Sequence, residues 1–316
     1  MAKILITGIS GGLAQHVARL LLAEGHEVVG VDYRPTPPLE GTLGGVQVHR
    51  ANYNKTAIED IFRHHAFERV LHLGRVGNLK ESLGKRFDLN VVGSQKIMNL
   101  CRQHGVKRMV VLSTFHIYGA DPANHTPISE DDPLRAGQQF PQIADAIQLD
   151  SMASRWVYES TDCSIVVLRP TNVIGPTIHN AMASFLRADV VPHLLGFNPM
   201  TQFVHEADLA GAIVLASERA DRGIFNVAGL GAVPWRTALR IAGAHTFPLP
   251  SPLVTLFLKT VPKQLPEYLV NFFKYPCVIS DDKFRGVFSW SARESIESTI
   301  WSTVEAARKR QAEARG

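Results

Sequence analysis

Cysteine is scarce in this chain. Three residues among 316, Cys101, Cys163 and Cys277, are odd in number and too widely spaced for a disulfide framework or a thiolate metal site. That scarcity predicts a reducing, cytoplasmic setting and no metal. Long hydrophobic runs are missing as well: the longest, near Leu253–Leu258, stops at Lys259, far short of a membrane span. Met1-Ala2-Lys3 leads straight into a strand pattern, so no secretory leader is expected. Charge of one sign is lacking too, with 33 Lys and Arg against 29 Asp and Glu, a net +4. Much of the excess sits in Arg308-Lys309-Arg310 and Arg315. No aromatic residues interleave with that basic end, which reads as a solvated helix terminus and not as a nucleic-acid surface.

What is present is an alternation of short β-rich runs with longer amphipathic ones. Strands are expected at Lys3–Thr7, Glu27–Asp32, Val46–His49, Arg69–Leu73, Arg108–Leu112 and Ser164–Leu168, with helices at Leu13–Ala23, Thr56–His65, Arg86–His104 and Gln142–Glu159 between them. Strands spaced by helices predict right-handed crossovers, and their nearly continuous apolar character predicts a parallel sheet buried on both faces. The expected fold is therefore α/β, a doubly wound Rossmann sheet over residues 1–170. Residues 171–316 would form a smaller lobe interleaved with the end of the sheet. Its elements are shorter: Gln202–His205, Ala207–Glu218, Gly223–Val227, Trp235–Ala242 and a helix after Ser291.

The first strand feeds into Gly8-Ile9-Ser10-Gly11-Gly12-Leu13-Ala14. Gly8 suits a tight turn, Gly11 lets backbone approach a pyrophosphate, and Ala14 at the third position still permits close helix–strand packing. The helix that follows offers free N–H groups and a partial positive charge to phosphates. The second strand ends in Asp32, 32 − 8 = 24 residues past the first glycine. A carboxylate there accepts ribose hydroxyls and repels a 2′-phosphate, which favours NAD over NADP. Tyr33 and Arg34 adjoin this subsite, and Arg34 softens the preference.

With these residues in place the chain resembles the extended short-chain dehydrogenase/reductases, specifically the NAD-dependent epimerase/dehydratase branch. Thr7-Gly8-x-x-Gly11 matches the opening motif. His72-Leu73-Gly74 stands for its His-Leu-Ala-Ala strand end, and Asn90-Val91-x-Gly93 for its Asn-Val-x-Gly helix start. Ser113-Thr114-Phe115-His116-Ile117-Tyr118-Gly119 and Arg169-Pro170-Thr171-Asn172-Val173-Ile174-Gly175-Pro176 match its next two motifs. Met200–Asp208 follows its Arg-Asp-Phe-Val-x-Val-x-Asp pattern, and Asp281–Arg285 followed by Trp290 its terminal element. The resemblance implies NAD contacts at Gly8, Ser10, Gly11, Gly12, Leu13, Asp32, Tyr33 and Arg34. It adds Asn52 and Tyr53 beside the adenine, then Leu73, Gly74, Arg75 and Asn90 along the pyrophosphate and ribose. Asn172 would contact substrate, and the two-helix dimer bundles common in the family raise a homodimer as a partner state.

The same resemblance exposes a gap. The family's Tyr-x-x-x-Lys pair falls on Ala146 and Asp150, and none of the six tyrosines is followed by lysine four residues on. Thr114 remains to polarise a carbonyl, leaving His116, Tyr118 or Asp150 to handle a proton. The dehydratases' Asp-Glu is replaced by Phe115 and His116, which disfavours dehydration by their route. Thr201 replaces the phosphate-pairing arginine, removing a bidentate contact. The expectation is an atypical NAD(H)-binding oxidoreductase acting on a carbonyl or carbinol carbon of a small molecule, a nucleotide sugar or an apolar compound. A non-catalytic NAD(H)-binding sensor or scaffold is the alternative. The apolar, proline-punctuated stretch Phe247–Phe273 reads as two short helices completing the smaller lobe, or as a surface for a hydrophobic ligand, a partner or lipid.

Overall fold

The computed structural model describes residues 1–36, 38–77, 81–251, 253 and 269–313. Six strands follow the sequence closely: β1 Lys3–Thr7, β2 Glu27–Asp32, β3 Gln47–Arg50, β4 Arg69–His72, β5 Arg108–Leu112 and β6 Ser164–Pro170. A seventh, Gly223–Val227, joins them in one parallel sheet. Running from that strand, the order is seventh, β6, β5, β4, β1, β2, β3. The chain winds outward from β1 through β2 and β3, then restarts on the other flank with β4. That reversal opens a crevice between the carboxyl ends of β1 and β4, where ligands of such sheets bind.

Both faces of the sheet are covered, which explains the lack of polar alternation in its strands. On one face the helices Gly12–Ala23 and Glu206–Glu218 pack through Ala14, Val17, Leu21, Leu209 and Ile213. On the other lie Thr56–His64, Gly93–Gln103 and Ala144–Glu159, packing through Ile58, Phe62, Ile97, Leu149 and Ala153. A third core joins Leu186, Val191, Trp235, Leu239, Phe273 and Ile300. The segment 254–268 of the apolar stretch lies outside the described residues, and so does part of the expectation made for it. Cys101 and Cys163 are buried within the second core, and Cys277 beside Phe115 and Tyr118; all three are free thiols.

One long helix expected over Arg86–His104 is broken. Leu83–Phe87 and Gly93–Gln103 are joined by a wider π-turn at Asp88–Val92. The wide turn goes with a contact to another segment: Asn90 turns its amide onto Val76, accepting from its N–H at 2.8 Å and donating to its carbonyl at 3.1 Å. Such single wide turns cluster at functional sites. The strand expected at Val46–His49 begins one residue later, because Val46 closes a preceding short turn onto Leu43.

Candidate functional site

The register of β1 against β4 sets Thr7 beside His72. The Thr7 hydroxyl accepts from Gly74 N–H at 3.0 Å and lies 2.8 Å from His72 Nδ1, while His72 Nε2 lies 2.7 Å from Ser94 Oγ. Ser94 spends its own proton on the Asn90 carbonyl at 2.6 Å. Ser94 must therefore accept from His72 Nε2–H, which leaves Nδ1 to accept from Thr7; the network assigns the tautomer. Burial pushes the His72 pKa down to about 4, so this relay is neutral. It fixes the Gly74 turn against Gly8, which takes φ 79°, and a Cβ on Gly8 would come within 2.6 Å of Gly74 Cα. Two chain segments thus meet with no side chain between them, below a helix whose first turn has no capping side chain. Gly11, Gly12 and Leu13 supply that open turn, a cradle shaped for a diphosphate.

Asp32, almost wholly buried, accepts from Ser10 N–H at 3.2 Å and from Arg34 N–H at 2.9 Å. It also accepts from the Arg34 side chain, through Nε at 3.2 Å and Nη2 at 3.1 Å. The hydrogen bonds that Arg34 donates to Asp32 raise the Arg34 pKa. Arg34 lies 5.7 Å over the Tyr33 ring, and Ser10 Oγ meets Thr36 Oγ1 at 2.7 Å. Asp32, expected from the sequence to accept ribose hydroxyls, ends β2 with its charge already balanced by the neighbouring guanidinium. Asn52 turns its carbonyl onto Asn54 N–H at 3.3 Å. Tyr53 is turned inward: its buried ring packs against His72, and its hydroxyl lies beneath Gly74, a place in the core and not on the surface of the site. Burial, aided by the Asp32 charge, raises its pKa.

At the end of β5, Thr114 caps the short turn Phe115–Tyr118, and its Oγ1 lies 2.8 Å from His116 Nδ1. The His116 ring packs on Phe115 and Phe272, with centroids 4.3 and 4.8 Å away. Burial, then the nearby charge of Arg75, pushes its pKa down to about 3, so His116 is neutral at neutral pH. Asn172, on the strand Asn172–Ile174, donates to the Gln202 carbonyl at 3.0 Å.

The helix Ala144–Glu159 bears the two positions where the resembled family has tyrosine and lysine. Ala146 is buried with Ala136, Phe140 and Ile143, and Phe272 packs against the group. Asp150 is wholly buried and bound bidentately by Arg169, Nη2 to Oδ2 at 2.7 Å and Nε to Oδ1 at 3.0 Å, while Ser113 Oγ donates at 2.5 Å. Burial works against the Arg169 charge, but the hydrogen bonds and charge of Asp150 hold its pKa above the ordinary value. Arg169 also donates to the Tyr118 hydroxyl at 3.0 Å, which in turn donates to Asn226 at 2.8 Å; burial pushes the Tyr118 pKa up to about 12. Asp150 and Tyr118, named from sequence as proton carriers, are thus committed to one buried network. A second buried pair lies one turn away: Arg86 faces Asp145 at 3.2 Å, and Asp145 accepts from Asn90 at 2.6 Å. Sequence reasoning missed both arginines; an aspartate in a lysine's place marked Asp150 as unusual but did not say which residue would meet it.

Among the described residues one trio, Glu24, His26 and Glu218, gathers three metal-ligating side chains, by the amino end of β2 and away from the carboxyl ends of the strands. Ala2 N–H donates to His26 Nδ1 at 3.1 Å, which makes Nε2 the protonated nitrogen and denies a cation its lone pair. No helix of the described residues is long and apolar enough to cross a membrane.

Comparison with known proteins agrees with this geometry. The family model described as NAD dependent epimerase/dehydratase family matches residues 4–228. An uncharacterized protein of Mycobacterium tuberculosis is 26% identical over 257 residues, 78% of this chain and 67% of its own length. A UDP-glucose 4-epimerase of Klebsiella pneumoniae is 33% identical over 131 residues, 38% of this chain and 94% of its own. Among solved structures, the Thermus thermophilus UDP-glucose 4-epimerase in complex with NAD superposes with a TM-score of 0.77 at 25% identity, covering 97% of this chain and 99% of that one. From its fold, its glycine cradle and this match over most of its length, the chain belongs to the NAD-dependent epimerase/dehydratase family.

Proposed function

We propose that this protein binds NAD(H) and exchanges hydride with a carbonyl or carbinol carbon of an apolar small molecule, with Thr114 and His116 at the reacting oxygen. The observation that carries the reading is the 2.8 Å contact between Thr114 Oγ1 and His116 Nδ1, just past the carboxyl end of β5, the strand beside β4 in the sheet. The cradle of Gly8, Gly11, Gly12 and Gly74 and the acceptor Asp32 fit the dinucleotide. NAD, when bound, supplies the hydride acceptor or donor. With its proton on Nδ1, neutral His116 donates to Thr114 Oγ1, and the threonine proton is then free to point at a substrate oxygen. Thr114 then polarises that oxygen while its orientation is fixed by the imidazole, and the proton that leaves the oxygen on oxidation, or joins it on reduction, is exchanged with water. The surroundings support an apolar substrate: Phe115 and Phe272 pack on His116, Phe140 and Ala146 pack against Phe272, and Thr201 stands where a phosphate-pairing arginine would be.

A second reading, a dinucleotide-binding protein without turnover, is favoured by one observation: Asp150 is locked to Arg169 and Ala146 carries no proton. One experiment separates them. Purified protein is mixed with NAD⁺ and a panel of hydrophobic secondary alcohols, and the absorbance of reduced nicotinamide is followed alongside dinucleotide binding. The expected result is turnover that falls by about 10²–10³ in Thr114→Val, the usual loss for one oxyanion-directed donor. UDP-sugar epimerisation should stay at background. Tight dinucleotide binding with no reduction by any alcohol leaves the non-catalytic reading.

A further inference from the structure

Where the family pattern Arg-Asp-Phe-Val-x-Val-x-Asp has its second valine, this chain has Glu206. The acid opens the helix Glu206–Glu218 and is almost completely buried. One carboxylate oxygen accepts from Thr177 N–H at 2.9 Å and the other from the Thr177 hydroxyl. His16 Nε2, on the helix Gly12–Ala23, lies 3.5 Å away. Burial opposes the charge, yet the His16 and Thr177 contacts bring the Glu206 pKa below its ordinary value. Gly175, at φ 157°, makes room: a Cβ there would lie 2.5 Å from Glu206 Cγ. Arg187 grips the same loop from its carbonyls, donating to Ile178 O at 2.8 Å and Gly175 O at 2.9 Å.

Residues 175–178 are therefore held by a half-buried arginine through their acceptors and a buried glutamate through their donors. Thr177, so held, lies directly against Gly12, and a Cβ on that glycine would overlap its side chain. A buried carboxylate in a valine's place costs several kcal/mol unless donors reach it. Here the donors come from two segments that border the diphosphate cradle. We infer that Glu206 is a positioning residue for the dinucleotide diphosphate, latching Gly175–Ile178 over the first turn of the helix Gly12–Ala23 and slowing release. Thr177 spends both its donors on Glu206, so it gives the diphosphate a wall and no hydrogen bond. Its effect falls on dissociation and not on encounter.

This inference rests on the NAD(H) reading, and the test keeps the two apart. NADH release is followed by stopped-flow fluorescence on displacement, and adenosine, which has no diphosphate, is measured by competition. Thr177→Val removes one hydrogen bond to a charged group and should speed release on the order of tenfold or more. Association should stay within about twofold. Glu206→Val should release faster still, Thr177→Ser should restore the unmodified rate, and adenosine affinity should not change. NADH release from Thr177→Val at the unmodified rate, or an equal weakening of NADH and adenosine, overturns the inference alone. Failure of the unmodified protein to bind NADH removes both it and the cofactor reading.

Discussion

The carboxyl ends of β1 and β4 and the helix Ala144–Glu159 solve the same problem, burying polar groups beside a reaction site, in opposite ways. Around β1 and β4 the groups are neutral: Thr7, His72, Ser94 and Asn90 pass hydrogen bonds along a chain with every proton assigned. Along the helix they are charged: Asp150 with Arg169 and Asp145 with Arg86, each pair almost wholly out of water. A neutral relay costs little to bury and tolerates small shifts. A buried ion pair survives only while both partners stay. The first region keeps the family's motif residues nearly intact. The second holds fixed electrostatic ties between Asp150 and Arg169 and between Asp145 and Arg86.

Three experiments would break or sharpen that contrast. The largest effect should come from Asp150→Ala, which strands the Arg169 charge among Tyr118, Ser113 and Asn226. Removing one partner of a buried pair costs about 3–5 kcal/mol, so denaturant unfolding should show a loss of that size. Asp150→Lys, which would return the family's residue, should destabilise at least as much by setting two buried cations together. A more stable Asp150→Lys protein would show that the helix still has room for the original chemistry.

The neutral relay should declare itself in acid. The His72 pKa is depressed from an ordinary 6.5 to about 4. Its stabilisation is therefore complete above pH 6.5 and lost as pH falls from 6.5 toward 4, because the unfolded chain takes up the proton first. The shift amounts to about 3 kcal/mol across that window. His72→Gln, which can still bridge Thr7 and Ser94, should flatten that part of the stability profile. An unchanged acid slope in the variant would place the sensitivity elsewhere.

The smallest effect is expected at Asp32. With Arg34 already on its carboxylate, the charge opposing a 2′-phosphate is partly cancelled, so NADH should be preferred over NADPH by only about tenfold, roughly 1.4 kcal/mol. Asp32→Ala frees Arg34 and should reverse that ratio in fluorescence titrations. A preference that survives the substitution would assign discrimination to the Ser10–Thr36 side of the subsite.

The contrast also explains what the residues revealed in advance. Strands β1, β2 and β5 and the strand Gly223–Val227 are found at their expected bounds, because runs buried on both faces are written in local composition. The glycine cradle was readable for a similar reason, since Gly8 meets a steric demand that no other residue satisfies. The partners of Asp150, Asp145 and Glu206 were not readable. Arg169 lies 19 residues from Asp150, Arg86 lies 59 from Asp145 and Thr177 29 from Glu206, and no periodicity links positions that meet only through the tertiary fold. The π-turn at Asn90 escaped for the same reason: it goes with a bond to Val76, 14 residues upstream.

The three thiols have a practical meaning. Burial raises the pKa of Cys101 well above the usual range, that of Cys163 to about 11, and that of Cys277 upward too. Since the thiolate is the reactive species, folded molecules are nearly silent to alkylating dyes, and labelling counts only those that have opened. Cys101 and Cys163 share the sheet core, while Cys277 packs beside Phe115 and Tyr118. The chain thus carries native reporters on two distinct layers, able to time the loosening of each without any engineered label.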